Sequence, residues 1–241
     1  GKKHSFCYSI LAPLSSIKMN IFEERNLLPE TLPDRPMHLA KEWLNKTCED
    51  KWQPNPNAMT LSTVDNNNTP SSRIVLCKYF KPDPGYIVFF TNYNSRKGRE
   101  IKINSEVSLV FHWDNIGRQV RIKGVAVFSP SSESDEYFSS RNRGSQISAW
   151  GSNQSQSVES REILINQMNK KLDEFNTNNV QKKEVPRPPH WGGIRVWAHE
   201  IELWMDGENR VHDRARWTRK IKKNEDDTFS LSEWIGSRLQ P

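Results

Sequence analysis

Between Ala58 and Phe128 the chain alternates apolar and polar residues in short runs. These are "AMTLSTVD", "SRIVLCKYF", "YIVFFTN", "VSLVFHW" and "RQVRIKGVAVF", separated by Asn, Pro, Gly and Asp. A period of two puts successive side chains on opposite faces, as half-buried strands require. Five such strands, with a single short helical piece at Arg96 to Asn104, predict an antiparallel β-barrel. Elsewhere the period lengthens. "DRPMHLAKEWLNKTCED" carries Leu39, Trp43 and Leu44 at helical spacing, and "SSESDEYFSSR" opens with Ser and acidic residues. "VESREILINQMNKKLDEF" sets Ile163, Ile165, Met168, Leu172 and Phe175 on one stripe, which predicts a third long helix. Strands return in "IRVWAHEIELWM", "RVHDRARWTRK" and "TFSLSEWI", after a polar tract, "NTNNVQKKEVPRPP", that reads as a loop. Residues 1–30 show weak periodicity and read as a flexible arm. Residues 31–241 then form one mainly β domain with helical insertions and no internal repeat.

Composition narrows the partners. The 241 residues bear a net charge of +6, with a pI near 9.2 and a mean hydropathy of −0.81. A mildly basic chain keeps nucleic acid open as a partner. The cations, however, recur in short groups beside Ser, Tyr and Trp, a spacing better suited to small phosphorylated ligands than to a duplex. Cys7, Cys48 and Cys77 have no metal-ligand spacing and read as free thiols of a reducing compartment. No run of 18 apolar residues is present, so no membrane span is expected. The expected location is the cytoplasm. The alternative is an organelle such as the mitochondrion, because the first 22 residues lack acidic side chains and carry Lys2, Lys3 and Lys18, as a transit-peptide remnant does.

Four segments hold candidate chemistry. "WMDGENRVHDRARW" (204–217) packs Arg210, His212, Arg214 and Arg216 at alternate positions. On a strand they form one cationic row opposite Val211, Ala215 and Trp217, facing either an anion or water. In "TNYNSRKGREI", Ser95 is an N-cap candidate followed by Arg96 and Lys97. Cations in a first helical turn oppose the macrodipole unless a phosphate joins them; the plainer reading is a pair of surface cations. "EYFSSRNRGSQ" places Tyr137 and Arg141 four apart on a helix that Gly144 can end, with Ser145 in the turn beyond. "SRIVLCK" adds Arg73 and Lys78, which face opposite ways on an ideal strand unless a bulge intervenes. No Ser-His-Asp order, paired carboxylates, metal set or Gly-rich dinucleotide loop appears, and His112, His190 and His199 read as structural or surface residues. If the chain is an enzyme, a cofactor carries the hard chemistry.

These segments, taken in order, resemble one family. "RIVLCK", "FFTNYNSRKGREI", "RQVRIKG", "YFSSRNRGSQIS", "WGG", "IELWMDGENRVHDR" and the closing "RLQP" are similar to the pyridoxine (pyridoxamine) 5′-phosphate oxidase family from about Glu24 to the C-terminus. The resemblance implies an FMN-binding split barrel acting as a homodimer, with flavin in the subunit cleft. It implies oxidation of pyridoxine and pyridoxamine 5′-phosphates to pyridoxal 5′-phosphate in vitamin B6 salvage, with O2 as acceptor and H2O2 as by-product. By the same resemblance FMN contacts fall on Arg73, Ile74, Val75, Leu76, Phe90, Thr91, Arg96, Lys97, Gln119, Gln154, Ser155, Trp204 and Arg214. The substrate phosphate falls to Lys78, Tyr137, Arg141 and Ser145. Arg210, Val211 and His212 lie against the pyridine ring, with Arg210 and His212 as the catalytic pair and no metal. Leu203 stands where the family usually has an aromatic, Met205 where it has a polar residue or Gly, and "WGSNQSQ" is unusual before Gln154. The rival reading within the resemblance is a non-catalytic paralogue that binds FMN or pyridoxal phosphate.

Overall fold

The structure is a computed structural model that describes residues 27–51, 53–176 and 184–241. Helix α1 (Pro36–Asp50) starts on a proline, which lacks the N–H a first turn leaves unpaired, and stops at Lys51 in a left-handed conformation. The strands are β1 (Ala58–Val64), β2 (Pro70–Leu76), β3 (Tyr79–Lys81), β4 (Tyr86–Asn92), β5 (Glu106–Trp113) and β6 (Arg118–Phe128), with helix α2 (Arg96–Ile103) between β4 and β5. Three helices follow: α3 (Ser131–Ser140), α4 (Arg143–Gly151) and α5 (Arg161–Asn176). The chain closes with β7 (Trp191–Met205), β8 (Asp213–Thr218), the short pair β9 (Ile221–Lys223) and β10 (Phe229–Leu231), and β11 (Ile235–Leu239).

Nine strands make one curled antiparallel sheet in the order β11-β8-β7-β6-β5-β1-β2, with β4 pairing both β3 and the first half of β7. Alternation sets its register. Leu61, Ile87, Phe89, Leu109, Phe111, Val120, Ile122, Ile194, Val196, Ile201, Leu203 and Ala215 point inward and are fully buried, with Trp217 beside them. Burial of this size supplies the main stabilisation, about 1.5–3 kcal/mol for each large side chain. Two of the three sequence departures fall on this alternation. Leu203 and Met205 face the core, while Trp204 between them faces the other side.

Several expectations need correction. "SRIVLCKYF" is two strands, because β2 ends at Leu76 and the Lys78 N–H turns onto the Val88 carbonyl, 2.8 Å away. "TFSLSEWI" is likewise split between β10 and the start of β11, with Ser232, Glu233 and Trp234 between them. Helix α5 is present, but only part of its stripe packs: Phe175 lies against the cluster of Phe138, Ile147 and Trp191, Met168 lines the cleft described below, and Ile163, Ile165 and Leu172 are exposed. Of the predicted arm, residues 1–26 lie outside the described residues, as do 177–183 of the polar tract. At its end, Leu28 is buried and its N–H donates to Asp213 Oδ2 (2.8 Å), so the chain is already fixed to the body there.

Candidate active site

A cleft of roughly 880 Å³ opens beside β2, β4, α2, α3 and α4. Its size suits a small ligand. One wall is edge strand β2, which presents Arg73, Ile74, Val75 and Leu76; Ile74 and Leu76, two apart on one face, are both exposed and leave apolar surface for a ligand or a partner to cover. Lys78 lines the same cleft as Arg73, and the break after Leu76 is what lets two residues five apart do so.

At one end lies the start of α2. Ser95 caps it as predicted, accepting the Gly98 N–H. Gly98 lets the helix press against the Tyr93 carbonyl, where a Cβ would collide. Lys97 then enters the cleft nearly buried, its Nζ donating to Thr91 Oγ1 (3.2 Å), Ser95 Oγ (3.4 Å) and Gln154 Oε1 (3.3 Å). All three acceptors are neutral. Burial, with Arg73 nearby, lowers its pKa to about 8. An ammonium so placed favours an added anion. Arg96 is not in the cleft wall. Its Nε donates to Glu100 Oε1 (2.8 Å), and its side chain is half exposed.

The other end is aromatic and cationic. Phe90 stacks on Tyr137 with centroids 3.9 Å apart, and Trp191 lies nearly parallel to both. Arg141 stacks over Trp191 at 4.6 Å, and its Nη1 is buried without a hydrogen-bond partner. Burial lowers the Arg141 pKa, as expected of a cation lacking a counter-ion. Lys78 Nζ sits 5.7 Å from the Tyr137 ring. Here the sequence reading of Gly144 fails. Helix α3 already ends at Ser140, Arg141 is extended, and Asn142 caps a further helix, α4, by accepting the Ser145 N–H (2.8 Å). Ser145 therefore stands in the first turn of a helix rather than in a turn after one, and that N-terminus faces the cleft. One buried, unpartnered guanidinium nitrogen beside a helix N-terminus is an arrangement that can accept an anion.

Gln119, Trp204 and Arg214 form a second group. They are direct neighbours across β6, β7 and β8, and none lines the cleft. Arg214 is held by Glu202 (Nε to Oε1, 3.1 Å) and by the Gln240 carbonyl (2.8 Å), and the buried Glu202 also pairs with Arg121 at 3.2 Å. The predicted four-residue cationic row is not a strand row. Only Arg214 and Arg216 lie on β8; Glu208–Arg210 is a 3₁₀ turn in which Asn209 and Arg210 have φ of 54° and 67°. Such conformations are strained for residues with a Cβ and cluster at functional sites. Arg210 and Val211 are exposed. His212 is turned inward against Trp204, with ring centroids 4.8 Å apart. Its Nδ1 lies 3.1 Å from both Asp206 Oδ1 and the Gly207 nitrogen, while its Nε2 is buried and unpartnered. Asp213 is structural, accepting from Leu28 N–H and from Arg238 Nη1 (2.7 Å). Ser155, with φ 70°, is exposed just beyond Gln154 and outside the cleft wall.

The remaining candidates stay outside the chemistry. His112 is nearest Asp114 (3.7 Å), His190 meets the Ala149 carbonyl, and His199 pairs with Glu106. Among the described residues no group of His, Cys, Asp and Glu is placed to hold a metal. Cys77 is buried, and burial pushes its thiol up to about 12. Sequence reasoning missed Glu100 and Glu202, the two buried carboxylates on which the site arginines rest.

The fold places the chain among the split-barrel proteins. It superposes on a pyridoxamine 5′-phosphate oxidase-related, FMN binding protein from Nostoc punctiforme with a TM-score of 0.64 at 12% identity, covering 86% of this chain and 98% of that one. The similarity to PhzG from Burkholderia lata, solved with tetrahydrophenazine-1-carboxylic acid, is greater: TM-score 0.74 at 29% identity over 90% of this chain and 98% of that one.

Sequence comparison is more specific. Residues 45–170 match the family described as pyridoxamine 5′-phosphate oxidase, and residues 191–241 match the pyridoxine 5′-phosphate oxidase C-terminal dimerisation region. The pyridoxine/pyridoxamine 5′-phosphate oxidase of Anaplasma phagocytophilum is 45% identical over 77% of this chain and 87% of its own length. That of Pelagibacter ubique is 40% identical over 86% and 91%. The chain belongs to the pyridoxine/pyridoxamine 5′-phosphate oxidase family of enzymes.

Proposed function

We propose that the chain is an FMN-dependent oxidase of pyridoxine and pyridoxamine 5′-phosphates, giving pyridoxal 5′-phosphate with O2 as acceptor and H2O2 as by-product, and that it works as a homodimer with a cleft shared between subunits. The observation that carries this reading is a single cleft with an anion-ready donor set at each end, Lys97 with Thr91 and Gln154 at one, Arg141 with Lys78 and Ser145 at the other. Two phosphates, one on cofactor and one on substrate, fit such a cleft with their rings between.

In this reading Lys97 and Arg73 hold the flavin phosphate from the cleft wall and Arg96 reaches it from the first turn of α2, with Ile74, Val75, Leu76, Phe90 and Gln154 along the flavin's length. When bound, FMN supplies the two-electron acceptor for oxidation at the substrate's 4′ carbon and passes the electrons to O2. The chain's own residues bind and orient. Arg141, Lys78, Tyr137 and Ser145 fix the substrate phosphate, so that the reacting carbon is held in place rather than found by collision. Arg210, Val211 and His212 close over the pyridine ring, and the unpartnered His212 Nε2 is the atom available to hydrogen-bond it. Gln119, Trp204, Ser155 and Arg214 complete the flavin surroundings. Residues 119 and 204–214 lie outside the cleft of their own chain and belong, in this reading, to the cleft of the partner.

The test is direct. The purified protein should show flavin absorption bands; adding pyridoxine 5′-phosphate without oxygen should bleach them, and admitting air should restore them and release peroxide. Flavin without peroxide would identify a binding paralogue instead.

A further inference from the structure

We propose that Glu100 is a positioning residue of the phosphate site, a buried carboxylate that holds Arg73 and Arg96 ready for a dianion. This rests on the reading that the flavin phosphate lies at the start of α2.

The Glu100 side chain is 5% exposed and takes donors from three elements. Oε1 accepts Arg96 Nε (2.8 Å) from its own helix. Oε2 accepts the Ser71 hydroxyl (2.7 Å) and Arg73 Nη2 (3.3 Å) from β2, and a short bond from the Thr63 hydroxyl of β1. Arg73 closes the ring, donating from Nη1 to Thr63 Oγ1 (2.5 Å) and from Nη2 to Ser71 Oγ (2.6 Å). Burial alone would raise the carboxyl's pKa, but the hydroxyls of Thr63 and Ser71 and the two guanidinium groups outweigh it and hold it at about 2. The group is an anion throughout the working pH range.

An anion beside an anion site needs a reason, since an unpaired carboxylate there would repel a phosphate. The charges give one. Arg73, Arg96 and Lys97 bring three positive charges, and Glu100 removes one, leaving two. That matches a phosphate monoester, with a charge of about −1.5 to −2 at neutral pH. Arg73 Nη1 also donates to the Leu61 (3.4 Å) and Ser71 (3.2 Å) carbonyls, so its guanidinium is locked in place and acts on the phosphate as a fixed charge, whereas on Arg96 the carboxylate holds Nε alone and leaves both Nη groups to donate. Among the described residues no partner takes the Nη groups of Arg96. Glu100 acts on the phosphate only through these two side chains.

A plain structural staple between α2, β1 and β2 would use the same bonds, so the test must isolate the phosphate. Riboflavin has the ring and ribityl chain of FMN but no phosphate. In the full-length apoprotein, Glu100→Gln should weaken FMN binding about tenfold or more, and leave riboflavin binding within about twofold of wild type. Thr63→Val, a milder change that removes one donor to Oε2 and one acceptor for Arg73, should shift the same ratio in the same direction by less. It keeps the test alive if Glu100→Gln fails to fold. Equal losses for FMN and riboflavin, together with a lowered Tm, would show a staple and overturn the proposal. If instead the wild type binds both flavins equally, or Lys97→Ala leaves their ratio intact, the phosphate lies elsewhere. The proposal then falls together with the site reading, and the wild-type and Lys97 controls distinguish this from failure of Glu100 alone.

Discussion

The two groups of proposed site residues are held in opposite ways. In the cleft, Lys97, Thr91, Gln154, Tyr137 and Arg141 come from α2, β4, the segment after α4, α3 and the α3–α4 junction, and they already converge on one space. In the C-terminal group, Gln119, Trp204 and Arg214 stand side by side on neighbouring strands, and Arg210 projects from a turn beside them. Four strands, β7, β6, β5 and β1, separate β8 from the cleft's edge strand β2 in the sheet. One group therefore has a cavity, whereas the other has a surface and a buried imidazole nitrogen with no partner. A family whose C-terminal segment is a dimerisation region can join the two, each subunit supplying the wall the other lacks.

The largest expected effect tests that joining. A protein carrying Lys97→Ala with Arg141→Ala, and another carrying Arg210→Ala with His212→Ala, should each lose activity by about a hundredfold or more. Co-expressed, they form mixed dimers in which one of the two clefts is intact. Activity should recover to about one quarter of wild type if subunits pair at random. No recovery in a purified mixed dimer would mean that both groups serve one chain's own cleft.

Single substitutions sharpen the division. Arg141→Ala removes a buried charged donor and should lower kcat/KM about ten- to a hundredfold, with FMN affinity near wild type. Arg210→Ala should also impair turnover, and it should leave Tm unchanged because the side chain is exposed. Arg214→Ala differs. It strands part of the buried Glu202 and frees the Gln240 carbonyl, so it should lower FMN occupancy and also stability, by about 1–3 kcal/mol. Activity should return partly with excess FMN. Steady-state kinetics at saturating FMN, paired with thermal melts, check all three. An Arg210→Ala protein that sheds flavin as readily as Arg214→Ala would place both arginines on one ligand.

The same contrast governs what could be read in advance. Alternation exposed the strands, and Ser95 followed by two cations marked the start of α2, because both signals are local. Helix α4 was hidden by Gly144, which looked like a terminator; the cap at Asn142 and the following Ile147 and Ala149 were the signal for a new helix. "RVHDR" was misread as strand because local alternation cannot announce two left-handed residues in succession. Glu100, four residues after Arg96, has the spacing of an ordinary surface pair, and only tertiary packing of β1 and β2 over it shows otherwise. Glu202, between inward-facing Ile201 and Leu203, is likewise a strand's outward charge until Arg121 and Arg214 cover it. The α5 stripe promised a core along its length, and only its Phe175 end packs against one, leaving Ile163, Ile165 and Leu172 exposed.

The smallest effect concerns pH and singles out the cleft half. Lys97 is an ammonium among neutral acceptors, and burial brings its pKa to about 8 from 10.5. A bound phosphate favours the charged form, so FMN binding is strongest below pH 8. Above it each binding event must take up a proton, and the dissociation constant should rise by up to about tenfold per pH unit. Riboflavin titrations, lacking the phosphate, should stay flat over the same range. In the apoprotein the sign reverses. Below pH 8 the buried charge destabilises the fold. Between pH 8 and 10.5 the unfolded chain holds the proton that the folded chain has released, so this group's contribution to stability rises with pH. Other groups titrate there too, which is why the measured quantity is the difference in unfolding free energy between wild type and Lys97→Met. That difference should move in favour of wild type as pH rises from 8 to 10.5 without flavin, and FMN should abolish the trend by keeping Lys97 protonated. A difference flat in pH without flavin would mean that Lys97 is not desolvated, and that the cleft is not prepared for an anion before one arrives.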